Sequence, residues 1–250
     1  MERKTISRYC FGKLTPKPDY RTLRFSRYVK DVAPPPGAFD NIPIVMKATG
    51  INDVSHLFPM DGNDRLGDCT IAALAHAITC YNARIGKTVI PSEKDVINFY
   101  YKMTCHRDKG CNELDVLKRW QKKGFNGNKI ISYVSERPSN HIGVKQAIWL
   151  FGGLYIGFQV QENASYDFEN GITWTPGTLT QDGHAVYLVA YDADTVTVLT
   201  WGGKIKATWD WLDECVDECW PILPSEAQIQ NFAPGFNIDL LREDLQALSQ

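Results

Sequence analysis

The chain changes its hydrophobic period once, near its middle, and that change limits the folds open to it. Residues 69–85 (CTIAALAHAITCYNARI) predict a helix with Asp68 as N-cap and Gly86 as its stop. Ser92 opens a second helix over 93–104, and Asn112 a third over 113–123 that ends at Gly124. From residue 129 onward, β-branched and aromatic runs bounded by Gly, Asn and Asp take over. Strands are expected over 129–134, 153–160, 184–192 and 195–201, the last two joined by a tight turn at Ala193-Asp194. Residues 141–151 predict a short helix and 208–220 an amphipathic one. Helices first and strands later is an α+β plan, in which a helical layer packs against an antiparallel sheet supplied later in the chain.

Residues 1–60 are basic at the start and rich in proline, including Pro16, Pro18 and Pro34 to Pro36. Proline fixes φ and removes a donor, so this segment is expected to be an extended arm lying over another surface. The body is then 61–225. Residues 226–250 form a tail whose last part, NIDLLREDLQALSQ, is an amphipathic helix able to dock on its own body or on a second copy. The arm and this helix are the candidate self-association surfaces.

Of the 250 residues, 44% are apolar, enough for a packed core. Lys and Arg number 27 against 29 Asp and Glu, so there is no surplus of positive charge to neutralise a row of phosphates, and nucleic acid is not expected as a partner. No apolar run approaches the roughly 18–20 residues of a membrane helix, and the N-terminus lacks a secretory apolar stretch. The expectation is a soluble, cytoplasmic protein with no membrane partner. Seven cysteines are an odd and sparse set, read as free thiols. The pairs Cys105/Cys111 and Cys215/Cys219 lack the usual zinc spacing, and no glycine-rich phosphate loop is present, so no metal or cofactor is expected.

Cys69 follows Gly67-Asp68 at the first turn of the first predicted helix. Unpaired N–H groups and the partial positive charge of a helix N-terminus favour a thiolate, the nucleophilic form. His184 opens a strand after Asp182-Gly183. An imidazole at the mouth of a sheet can meet a helix N-terminus, take the thiol proton and later return it to a leaving group.

With those residues in place, the sequence resembles the papain-like cysteine peptidase superfamily. Asn63 stands six positions before Cys69, where that family has an oxyanion-hole glutamine. Gly67 stands two before, His184-Ala185 opens a later strand, and Trp201-Gly202 follows the next one. The pattern Gly67-Asp68-Cys69, Gly183-His184-Ala185 and Thr200-Trp201-Gly202 is most similar to a group of bacterial proteins of this superfamily, from which no activity is carried over. The resemblance implies a papain-like α+β fold with the nucleophile helix packed on the sheet. It implies Cys69 as nucleophile, His184 as base and then acid, and Asn63 as oxyanion donor. Asn63 is one methylene shorter than the family's glutamine. Where the family has Asn or Asp to orient the histidine, the count lands on Thr200, with Asp182 or Asp192 as outside alternatives. The expected function is a thiol hydrolase acting on peptide or isopeptide bonds of a peptide or protein substrate. The alternative is a catalytically silent scaffold that binds or builds. For residues 1–60 three roles stand open: an inhibitory pro-segment covering the groove, a permanent part of the domain, or an oligomer contact.

Overall fold

The computed structural model describes residues 9–30 and 32–248; the first eight residues of the arm and the last two of the tail lie outside it. A short 3-10 turn at Phe25–Arg27 leads to β1 (Phe39–Asp40), α1 (Ile42–Thr49) and α2 (Val54–Leu57). Then come α3 (Cys69–Ala83), α4 (Glu93–Thr104), α5 (Glu113–Lys123), β2 (Ser132–Tyr133), α6 (His141–Phe151), β3 (Leu154–Gln161) and α7 (Ala164–Asn170). The sheet half adds β4 (Leu179–Tyr191), β5 (Thr195–Thr200), β6 (Gly203–Thr208), α8 (Trp209–Cys215), β7 (Val216–Trp220), β8 (Ile222–Leu223), α9 (Glu226–Phe232) and α10 (Ile238–Leu248).

All neighbouring strands are antiparallel, in the order β6-β5-β4-β3-β7, with β1 pairing the end of β4 beyond β3. Every residue of α3 is buried. A helix that is apolar all round belongs in a core. It packs on β4 on one side and on α1, α4 and α5 on the others, so the helical layer and the sheet meet along it. This is the expected α+β arrangement, with the cysteine-bearing helix against the sheet.

The predicted caps at Ser92 and Asn112 both form, each side chain accepting from the backbone three residues on. Asp68 stands at the N-cap of α3, but its side chain caps nothing. The segment 208–220 is not one helix. It breaks after Cys215, because Val216–Trp220 finds the free edge of β3 and pairs with it in register Ile156↔Cys219. A ladder of backbone bonds there outweighs an amphipathic pattern. Residues 129–134 shorten to Ser132–Tyr133, which pairs with β8 in a separate ribbon.

Within 1–60, Phe25, Tyr28, Val29, Ile42, Val45 and Leu57 are buried, and 42–57 is largely helical, so the extended part is the stretch before Phe25. The tail folds back on this chain. Leu241 is buried, and Asp244 accepts from Arg27 Nε at 2.7 Å and from the Tyr28 hydroxyl at 2.7 Å. Among the described residues no helix is long and apolar enough to cross a membrane.

Candidate active site

The first residue of α3, the first buried residue of β4 and the last residue of β5 converge on one buried point. Cys69, His184, Asn63 and Thr200 line a single void of about 10 Å³, room for about one water, together with His76 and Trp201. His184 Nε2 lies 2.8 Å from Thr200 Oγ1. Asp182 is exposed at the surface, and Asp192 is bound to Thr195 and Lys206, so neither alternative serves His184. With Nε2–H donating to Thr200, the Nδ1 lone pair is left for another proton; Nδ1 has no hydrogen-bond partner. Trp201, held at φ 46° in the left-handed region, stacks on the imidazole at 4.8 Å between ring centres.

The sulfur and the imidazole share the void without a hydrogen bond between them. Both side chains are sealed, with Cys69 and His184 each 1% exposed. Burial pushes the Cys69 thiol up to about 12, against a smaller opposing pull from the Ala185 and Gly12 amides. Burial pulls His184 down to about 3. Near neutral pH both groups are therefore uncharged.

The seal is the chain's own arm. Cys10 N–H donates to the Asn63 carbonyl at 2.9 Å, and the Asn63 side-chain amide donates back to the Cys10 carbonyl at 2.9 Å and to Leu66 at 3.1 Å. Both protons of the candidate oxyanion donor are thus engaged. Lys13 N–H donates to Gly183 O at 3.1 Å, Cys111 N–H to Gly12 O at 2.8 Å, and Leu14 N–H to Cys111 O at 3.0 Å. The arm is therefore an extra strand threaded between the loop before α5 and the start of β4. Tyr9 stacks on Trp201 at 4.3 Å, and Phe11 packs perpendicular to His184 with 5.7 Å between ring centres. At Gly12 a Cβ would fall 1.8 Å from the Gly67 carbonyl oxygen, so only glycine passes this point.

Around this centre sit further acids, of which the sequence pattern marked only Asp68. Asp61 and Asp68 are buried and pushed up to about 8, chiefly by burial. His76 is pulled down to about 4 by burial, with Nε2 3.2 Å from the Pro59 carbonyl and 3.7 Å from Asp61. Asp108 braces the loop before α5, accepting from Gly67 N–H at 3.0 Å and from the Tyr100 hydroxyl at 2.6 Å. All seven cysteines are free, and Cys215 and Cys219 stand on different elements.

A central helix opening on a cysteine, faced by an antiparallel sheet whose histidine strand begins beside it, is the papain-like fold. Three solved cysteine peptidases place the chain within that architecture. ProCathepsin B S9 from Trypanosoma congolense matches with a TM-score of 0.60 at 11% identity over 88% of this chain and 87% of that one. Procathepsin L2 from the Tenebrio molitor larval midgut matches at 0.60 and 13% over 89% and 81%. The Carica candamarcensis cysteine protease CMS1MS2, solved with E-64, matches at 0.53 and 13% over 77% and 100%. No family model and no curated protein matches the sequence.

Proposed function

We propose that this protein is a thiol hydrolase of peptide or isopeptide bonds, held in a latent state closed by its residues 9–15. The observation that carries the reading is the meeting of Cys69, at the start of the buried helix, with a histidine whose other nitrogen is already bound to Thr200. Two of the solved structures that share the fold are named as pro-forms.

In the working state the arm withdraws and water reaches the void. Desolvation then no longer holds the thiol and the imidazole neutral, and the helix N-terminus favours the thiolate. His184 Nδ1 takes the Cys69 proton. The sulfur attacks the carbonyl carbon, and the carbonyl π pair moves onto oxygen, where the Cys69 N–H and the released Asn63 amide receive it. Collapse of this intermediate breaks the C–N bond as His184 protonates the departing amine. Water then attacks the thioester, giving its proton to His184, and the carboxylic acid leaves Cys69. Thr200 orients the imidazole.

The experiment is alkylation by iodoacetamide with the modified residue located by mass spectrometry. Arm-loosened protein is expected to react at Cys69, and Cys69→Ala to lose that label and all turnover while keeping the fold. A silent binding scaffold is the second reading, favoured by the uncharged, sealed pair. A Cys69 that reacts no faster than a free thiol once the arm is loosened would establish it. Seven free thiols support a reducing compartment such as the cytoplasm as the place of action.

A further inference from the structure

One cleft-side cluster is not used by the chemistry above. The Lys13 side chain leaves the arm strand, crosses Gly157 of β3 and ends among Asp217, Glu218 and Glu113 with only 2% of its surface exposed. Its Nζ is 2.9 Å from Asp217 and 3.3 Å from Glu218. Gly157 is what opens the passage, since a Cβ there would lie 1.9 Å from Lys13 Cε and 2.5 Å from Glu113 Oε1. Glu113 is fully buried, faces the same space, and neither of its carboxylate oxygens has a hydrogen-bond partner. Burial and the nearby Glu218 hold its carboxyl well above the usual range, against the pull of Lys13.

Three carboxyl groups around one ammonium exceed what a staple for the arm requires, because one carboxylate already balances the charge of a lysine and each further buried acid is costly. Among the described residues no three such groups are arranged to hold a metal ion, and the occupant in place is a primary ammonium on a four-carbon stem. The backbone context fixes what the slot reads. The neighbouring Gly12 amide faces the Cys69 sulfur, while Lys13 is held by Gly183. A segment lying as the arm lies puts one residue over the nucleophile and the next side chain into the slot.

We propose that the slot formed by Gly157, Glu113, Asp217 and Glu218 is the specificity subsite of this cleft, and that the substrates are peptide segments with a lysine next to the residue whose carbonyl Cys69 attacks. Lys13 occupies the subsite in the latent state. The assignment rests on the hydrolase reading.

The test uses the full chain carrying Lys13→Ala, which empties the slot and leaves Cys69, His184, Asn63 and Thr200 in place. First, n-butylammonium at constant ionic strength is expected to raise the melting temperature of this variant, while n-butanol does not. The wild type and Lys13→Ala/Asp217→Asn/Glu218→Gln, which lacks both partners of the ammonium, are expected not to respond. No shift in Lys13→Ala overturns the slot as a cation site. Second, in Lys13→Ala that also carries Gly12→Ala to loosen the arm, peptidyl chloroacetamides differing only in lysine, norleucine or glutamate are compared by the rate of Cys69 modification. Lysine is expected to exceed norleucine by at least about tenfold, with the preference lost on Asp217→Asn/Glu218→Gln. Equal rates at Cys69 overturn the subsite and leave the hydrolase reading standing. A Cys69 inert to every probe and to iodoacetamide, with butylammonium still stabilising, removes the hydrolase reading and with it the substrate assignment.

Discussion

Gly12→Ala tests the seal over Cys69 with one methyl group. The added Cβ would sit 1.8 Å from the Gly67 oxygen and 2.6 Å from the Gly67 Cα. Comfortable carbon contacts lie at about 3.5–4.0 Å, so the arm has to retreat by roughly 1.5–2 Å. At that displacement the bonds Cys111 N–H to Gly12 O (2.8 Å), Lys13 N–H to Gly183 O (3.1 Å) and Leu14 N–H to Cys111 O (3.0 Å) all pass beyond hydrogen-bond reach. Each contributes about 0.5–1.5 kcal/mol net, so the closed state loses roughly 1.5–4.5 kcal/mol. At about 1.4 kcal/mol per factor of ten, the open population rises by roughly 10- to 1,000-fold. Because the closed sulfur is only 1% exposed, alkylation runs through the open state and its rate follows that population. The assay is the iodoacetamide rate at Cys69, with the exposed Cys105 as internal reference. A correctly folded Gly12→Ala protein whose Cys69 reacts at the wild-type rate would refute the arm as the seal.

In the Gly12→Ala background, Thr200→Val leaves His184 Nε2 without its partner, and turnover is expected to drop by roughly 10²-fold with an altered pH profile of alkylation. Thr200→Asn, which offers an amide oxygen instead, should recover part of the loss; a Thr200→Val profile identical to the parent would deny Thr200 its orienting role. Asp61 is raised from 3.8 to about 8, so the fold holds its proton more tightly than the unfolded chain does. The stability this gives is fully present below about pH 4 and is lost as pH climbs through 8. Asp61→Asn, which cannot lose that proton, should gain on the wild type by a few kcal/mol between pH 5 and 9, read from urea midpoints, because each tenfold difference in proton affinity between folded and unfolded chain is worth about 1.4 kcal/mol. A constant difference across that range contradicts the assignment. Gly157→Ala, whose Cβ meets Lys13 Cε at 1.9 Å, should free the arm much as Gly12→Ala does, seen as faster Cys69 alkylation.

The parts of the fold that were legible in the sequence are those written in local chemistry. Cys69 at the head of a long apolar run, the capping residues Ser92 and Asn112, and the β-branched runs of β3 to β5 each depend on neighbours within a few residues. Thr200 was reachable because it is only sixteen residues from His184, one hairpin away. Lys13 was not, since its partner Asp217 lies 204 residues further on, and a lone basic residue among prolines carries no mark of burial. A cover over the groove is one of the roles the arm's sequence allows, but which residues seal the sulfur is set by contacts such as Lys13 to Gly183 and Phe11 to His184, far apart in the chain. The split at Cys215 is a third case, where an open strand edge claimed residues whose own pattern reads as helix.

None of residues 14–24 is buried, and Tyr20 stands fully in solvent, whereas Phe25, Tyr28 and Val29 are core. While this stretch is intact, the strand over the cleft cannot drift away, since a short tether keeps it at an effective concentration in the millimolar range. One cut by another protease at Lys17, Arg21 or Arg24 would turn the covering segment into an ordinary dissociable peptide. Dormancy would then depend on dilution: a crowded solution would stay quiet, and a thin one would wake.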